Sequence, residues 1–245
     1  EQTACLFRTS ADCTLWPIEI AEAEYIDSRG GLVAAGVSRS SAARAGIRLR
    51  LKRRDGGKMS DLPMDRLTLH LSGQGAEAWI LQEALATKVT GLVGRSVDRR
   101  DDWTEGLPDG RSIACGFAPD EALLPTPRRS FDGYRLLQEY FAMPERFHFV
   151  ELGGLRPALK RSEASELDIY VLLADTLPDN GTSVRREVFV PNAVPAVNLF
   201  ERQFDRVHIS NADTEIHVTP LRTAPLDYEI YAIDRVTGIS GKENE

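Results

Sequence analysis

Met143-Pro144 cuts the most strongly patterned stretch of this sequence in two. Proline has no amide to donate and pushes the residue before it out of helical geometry, so any helix upstream ends there. Upstream, Phe131, Tyr134, Leu137 and Phe141 recur at helical spacing, Arg135, Gln138 and Glu139 fall on other faces, and Ser130 is placed to cap the first turn. The spacing predicts an amphipathic helix over 130–143 with its aromatic stripe turned to the core. Downstream, Phe147, Phe149, Val150 and Leu152 are interrupted only by His148 and Glu151 before Gly153-Gly154, which predicts a buried strand over 147–152. Each large apolar side chain buried here contributes roughly 1.5–3 kcal/mol, so a core helix feeding a core strand explains the stretch without a catalytic role for its Tyr, His or Glu.

The rest of the chain reads as strands with a few helices between them. Phe7 to Tyr25 predicts a strand interrupted at Trp16-Pro17, with a change of phase after Ile20 that a bulge produces and a proline that places it at a sheet edge. Residues 28–46, rich in Gly, Ser and Ala, predict a flexible connection. Ile47, Leu49 and Leu51 alternate with Arg48, Arg50 and Lys52, and Leu67, Leu69 and Leu71 with Thr68 and His70, so each run predicts a strand with one face in solvent. A helix over 75–90 follows, with Ala78, Leu81, Leu85 and Val89 along one side, and then a short strand over 92–97. Residues 98–110 predict a polar loop, 113–117 a short strand, and Asp120 the cap of a brief helical turn. The alternating charges of 155–166 predict an exposed connection, and 167–173, apolar on both faces, an interior strand. Runs at 207–209, 215–219 and 228–236 alternate like half-exposed strands. The class is α+β, with mixed or antiparallel β-sheets and a few covering helices. The organisation expected is a first α/β half over 1–106 and a β-rich second half over 111–245, or one continuous domain.

Composition and motifs exclude more functions than they suggest. A net charge of −7 argues against a nucleic-acid or anionic-membrane surface. No window reaches the eighteen apolar residues of a membrane span, and no signal-peptide pattern opens the chain, which begins at Glu1 and reads as an excised fragment. Cys5, Cys13 and Cys115 form no CxxC pair and the four histidines no HxxxH, so neither a metal site nor a disulfide framework is expected, and a reducing compartment fits. One motif points elsewhere. Gly73-Gln74-Gly75-Ala76-Glu77-Ala78 fits G-x-G-x-x-A between strand and helix, with Asp98 at the distance of a ribose-binding acid, and so keeps a nucleotide-cofactor-binding enzyme as the alternative reading. Against it, Thr68 and His70 alternate with the leucines, whereas a Rossmann strand is apolar on both faces. No hydrolase elbow, P-loop or HExxH occurs, and no catalytic, cofactor-binding or metal-binding residue is assigned.

Five blocks carry a resemblance: FRTSADCTLWPIEI at 7–20, DRLTLHLSGQGAEAWILQEAL at 65–85, CGFAPDEALLP at 115–125, LLQEYFAMPERFHFVEL at 136–152 and VPNAVPAVNLFE at 190–201. Together, and in this order, they resemble the TssF (VasA, ImpG) family of the bacterial type VI secretion system. The resemblance implies a non-enzymatic, protein–protein assembly subunit of the cytoplasmic baseplate wedge, needed for assembly of a phage-like contractile tail and docked at the inner membrane complex. It implies as partners a second TssF copy, a TssG-like subunit, a TssK-like adaptor, and sheath-initiator and spike proteins, with no cofactor and no direct membrane insertion. The interface candidates are Trp16, Pro17, Asn198, Leu199 and Phe200, which match the family's short motifs, and the aromatic residues Trp79 and Trp103, with core packing the alternative for Trp16, Phe200 and Trp103 and a backbone-satisfying turn role the alternative for Asn198. Trp103→Ala is expected to spare folding and weaken partner binding.

Overall fold

The computed structural model describes residues 3–37, 42–98, 100–125, 131–208 and 214–238. The Ser130 cap, Arg128-Arg129 and the end of the 207–209 run lie outside the described residues. The chain divides into two compact units, Thr9–Pro195 and a second made of Glu1–Arg8 with Ala196–Glu245.

The larger unit is built on two antiparallel sheets. The five-stranded sheet runs β1 (Ile18–Ile26), β2 (Ala45–Arg53), β8 (Glu166–Leu173), β4 (Val89–Ser96), β5 (Thr104–Leu107). The four-stranded sheet runs β9 (Phe189–Pro191), β3 (Arg66–Leu71), β7 (Phe149–Gly153), β6 (Arg111–Ala114). Both sheets draw strands from either side of the turn at 107–111, so the two halves of the sequence share one core. Period-2 alternation explains that core directly. Ile47, Leu49 and Leu51 of β2, Leu67, Leu69 and Leu71 of β3, and Val150 and Leu152 of β7 point to one buried cluster.

β8 is covered on both sides: Leu167, Ile169, Val171 and Leu173 join the main cluster, while Tyr170 and Leu172 pack with Leu32, Val37, Ala43 and Val93 on the opposite face. β1 is an edge strand, and its register slips between Ile20 and Glu22, as the change of phase predicts. Helix α1 (Arg29–Ala34) stands where a flexible connection was expected. Ser28 caps it, and Leu32 with the nearby Val37 and Ala43 is buried in a small cluster against β8, which orders this helix within a Gly- and Ala-rich segment. In the same way α4 (Arg156–Arg161) replaces the expected exposed connection, because Leu155, Ala158 and Leu159 are buried between its charges.

Helix α2 (Ala76–Thr87) buries Ala78, Leu81, Ala84 and Leu85 as its periodicity demands. It carries the chain from β3 in one sheet to β4 in the other. The Gly73-Gln74-Gly75 turn therefore joins two antiparallel sheets rather than two parallel strands of one. Gly75, at φ 55°, supplies the left-handed turn that opens the helix, and the dinucleotide reading loses its architecture.

The largest departure from the sequence reading is helix α3 (Asp132–Ala142). Its position and its stop at Met143-Pro144 agree with expectation, but its orientation is the reverse. Arg135 and Glu139 are buried at 5% and 2% exposure, while Phe131, Tyr134, Leu137 and Phe141 stand 72%, 68%, 56% and 81% exposed. In the smaller unit, the described residues from 198 to 238 contain no strand, so the alternating runs expected as strands there are not assembled into one.

Candidate interaction surface

A polar clamp explains the reversal of α3. The Glu139 carboxylate accepts from the backbone amides of Leu123 and Leu124, both at 3.0 Å, and from Arg135 Nη1 at 3.0 Å. Arg146, fully buried in the turn after the helix, pairs with the same carboxylate and donates to the carbonyls of Gly116 and Glu121 at 2.8 and 2.9 Å. Burial, then the neighbouring Arg135 charge, pull the Arg146 guanidinium down to about 10, still cationic at neutral pH. One acid held between two guanidiniums and two amides fixes the helix against residues 116–124. The aromatic stripe at i, i+3, i+7 is left on the outside.

Beside the stripe the rings continue inward as a chain. Tyr140 meets Phe141, Phe147 and Trp79 with centroids 5.5, 6.2 and 5.8 Å apart, and Phe117, itself exposed, meets Phe147 at 5.1 Å. Trp79 is edge-on to the buried His148 at 4.3 Å. Desolvation, reinforced by His70, lowers the pKa of His148, and desolvation lowers that of His70, so both imidazoles favour the neutral form.

The sequence candidates scatter. Trp16 is half-buried against the core, its amide donating to Asn192 Oδ1 and its carbonyl accepting from Asn192 Nδ2, both at 2.9 Å. Asn192, with φ 59°, thus holds the Trp16-Pro17 corner like a backbone partner. It sits inside the VPNAVP block, where its role had no local signal. Trp79, on α2, is half-buried and meets Tyr140 and His148 of the ring chain. Trp103 is 5% exposed and belongs to the core, which corrects its placement as a surface aromatic. The missing side chain of Gly94 lets Ala158 of α4 pack close against β4 beside the indole, and the Arg161 guanidinium stacks over the ring at 5.1 Å. Asn198 is exposed, Leu199 and Phe200 are half-buried, and Phe200 packs on Tyr228 within the smaller unit.

A cleft of about 520 Å³ with a mixed polar and apolar lining lies by Trp16 and Asn192, bordered by Arg66, Arg156, Cys115 and Glu151. Its chemistry favours fixed contacts over catalysis. Burial pushes the Cys115 thiol up to about 12, far from a nucleophilic thiolate, and Glu121 is occupied by the amides of Gly116 and Ala118. Among the described residues no cluster of His, Cys, Asp and Glu suits a metal, and no helix is long and apolar enough to cross a membrane.

The family model described as "Type VI secretion system, TssF" matches residues 1–245. The chain belongs to the TssF family. It is 40% identical over 238 residues to type VI secretion system component TssF1 of Pseudomonas aeruginosa (strain PAO1), a match covering 97% of this chain and 38% of that protein. It therefore spans well under half the length of this curated TssF relative. Its fold matches a chain of the TssK-TssF-TssG baseplate subcomplex, solved by cryo-electron microscopy, with a TM-score of 0.71 and 25% identity over 91% of this chain and 39% of that one. Sequence and fold thus agree on a TssF region.

Proposed function

We propose that this TssF region is a structural part of the type VI baseplate wedge, acting by binding rather than by catalysis. The observation that carries this reading is the likeness to a chain of the TssK-TssF-TssG subcomplex across 91% of the sequence. On that basis its partners are a TssG-like subunit and a TssK-like adaptor, with a second TssF copy and the sheath-initiator and spike proteins beyond them. It works in the cytoplasm, on a baseplate docked at the inner membrane complex. Among the interface candidates, Trp16 and Pro17 with their Asn192 clamp, Trp79, and Asn198 with Leu199 and Phe200 retain exposed or half-buried surface for such contacts, whereas Trp103 does not. Obligate assemblies of this kind often bury more than about 2,000 Å² around aromatic anchors.

The test is co-production of this chain with the TssG-like and TssK-like subunits of its own system, followed by size exclusion with light scattering. The reading expects a stoichiometric complex with at least one of them. A chain that elutes alone in both mixtures overturns it for residues 1–245.

A further inference from the structure

Helix α3 and the turn after it, Pro144–Phe147, are held in the larger unit in two unequal ways. Glu139 and Arg146 bind them to residues 116–124, and Phe147 packs on Phe117 of that same stretch. The fastening to the sheet is narrower. The His70 imidazole, on β3, donates to the backbone carbonyl of Glu145, and Trp79, on α2, meets His148 and Tyr140. We infer that His148 is an acid-sensitive latch: protonating its imidazole releases the Pro144–Phe147 turn and the C-terminal end of α3 from Trp79 while both sheets stay folded. This goes beyond the assembly reading above and does not depend on it.

The geometry of the imidazole carries the inference. His148 is 6% exposed, and its Nε2 is buried with no hydrogen-bond partner. In the neutral ring that nitrogen can remain a bare lone pair. The imidazolium carries an N–H on both nitrogens, so the same place would hold an unpaired donor bearing part of a charge, which costs much more. The residue itself is fixed, because its carbonyl accepts from the Leu71 amide at 2.7 Å at the edge of the ladder. Relief therefore comes from moving what covers the ring.

Few charges face it. His70 of β3 disfavours the imidazolium, and Glu145 of the turn favours it; Trp79 from α2 and Phe149 from β7 bring rings, and Arg135, Glu139 and Arg146 are engaged with one another and with residues 116–124. Desolvation and His70 outweigh Glu145, so the closed joint binds fewer protons than the open one. Closure is favoured above the ordinary histidine pKa near 6.5, and the advantage is lost as pH falls below it.

Packing makes the response local. Trp79, Phe147 and Phe149, the rings around the latch, belong neither to the main cluster nor to the small cluster on β8. Opening the joint leaves both apolar clusters intact, and so costs less than unfolding the sheets.

The test measures, by electron spin resonance in the full chain, the distance between spin labels on Phe141→Cys, at the exposed end of α3, and Arg54→Cys, just after β2, with the exposed Cys5 and Cys13 replaced by serine. Cys115, whose thiol burial pushes up to about 12, stays unlabelled. A single distance is expected at pH 7.5. At pH 5.5 a second, displaced population is expected, its ratio to the first raised about threefold to tenfold, the upper figure being the limit for one histidine of ordinary pKa near 6.5. Far-UV circular dichroism is expected to hold, and the first distance to return in full when the pH is raised. His148→Gln, and His148→Phe, which keeps a ring beside Trp79, are both expected to lose the response. A ratio that rises less than about twofold in wild type overturns the latch. So does either variant, if folded, opening with acid as wild type does, and so does a loss of circular dichroism in step with the change of distance, which would make the transition global.

Discussion

Helices α2 and α3 are nearly equal in length and opposite in construction. α2 places Ala78, Leu81, Ala84 and Leu85 against the sheets and its polar residues outside. α3 is the more sharply two-faced by sequence, yet it buries Arg135 and Glu139 and turns its aromatic stripe to solvent. The difference teaches that periodicity establishes two unlike faces without saying which one meets the core. For α2 the hydrophobic effect decides, because nothing polar on the helix has a buried partner. For α3 a single carboxylate satisfied by two amides and two guanidiniums decides, because leaving either guanidinium buried and unpaired would outweigh several exposed rings.

The comparison breaks first at Glu139. Glu139→Ala leaves the Arg135 and Arg146 guanidiniums buried without their shared partner and the amides of Leu123 and Leu124 without an acceptor, an expected loss of about 3–5 kcal/mol in urea unfolding. A loss below about 1 kcal/mol would mean that the clamp does not hold the helix. Trp103→Ala is expected to be comparable, about 3–5 kcal/mol, since the indole is core; unchanged stability would return it to the surface list. Leu81→Ala in α2 follows at about 2–5 kcal/mol by the same cavity argument.

Acidification probes the ground beneath α3. A lowered imidazole pKa means that the folded protein binds fewer protons than the unfolded chain, so stability rises with pH there. The contribution of His148 is fully present above its ordinary pKa near 6.5 and is lost as pH falls below it. His70, also lowered by burial, adds to the slope, while Glu145 opposes both shifts. The melting temperature of wild type is expected to drop between about pH 7.5 and 5.5, and that of His148→Gln to drop less. Equal slopes in the two proteins would assign the titration to other groups.

How far the sequence could be read depended on how local the deciding contact was. The alternation of Ile47, Leu49 and Leu51, the two-sided apolar run of β8 and the phase slip in β1 are local, and each predicts its strand. Trp103 lies in a polar loop, but its environment is set by Gly94 and Arg161, on β4 and α4. α1 and α4 are six residues each, too short for periodicity to stand out, and are ordered by a few buried side chains such as Leu32 and Leu159. The alternating runs near the C-terminal end show the converse: period 2 describes a face, and a strand also needs a neighbour to bond with. Asn192 and the Trp16 corner lie 176 residues apart and only the fold joins them.

The smallest expected effect discriminates most sharply between the two helices. Leu137→Ala removes a side chain that is 56% exposed, so little apolar area returns to water on unfolding and no cavity opens. Its helix propensity improves slightly, because alanine is the better helix former. The expected change is within about 0.5 kcal/mol, against the several kcal/mol of Leu81→Ala, although both replace a leucine on the apolar stripe of a helix of similar length. Urea unfolding of the two variants side by side measures the contrast directly. If Leu137→Ala proved as damaging as Leu81→Ala, α3 would be packed stripe-inward, the Glu139 clamp would not be its anchor, and the sequence reading of a core-facing aromatic stripe would be restored.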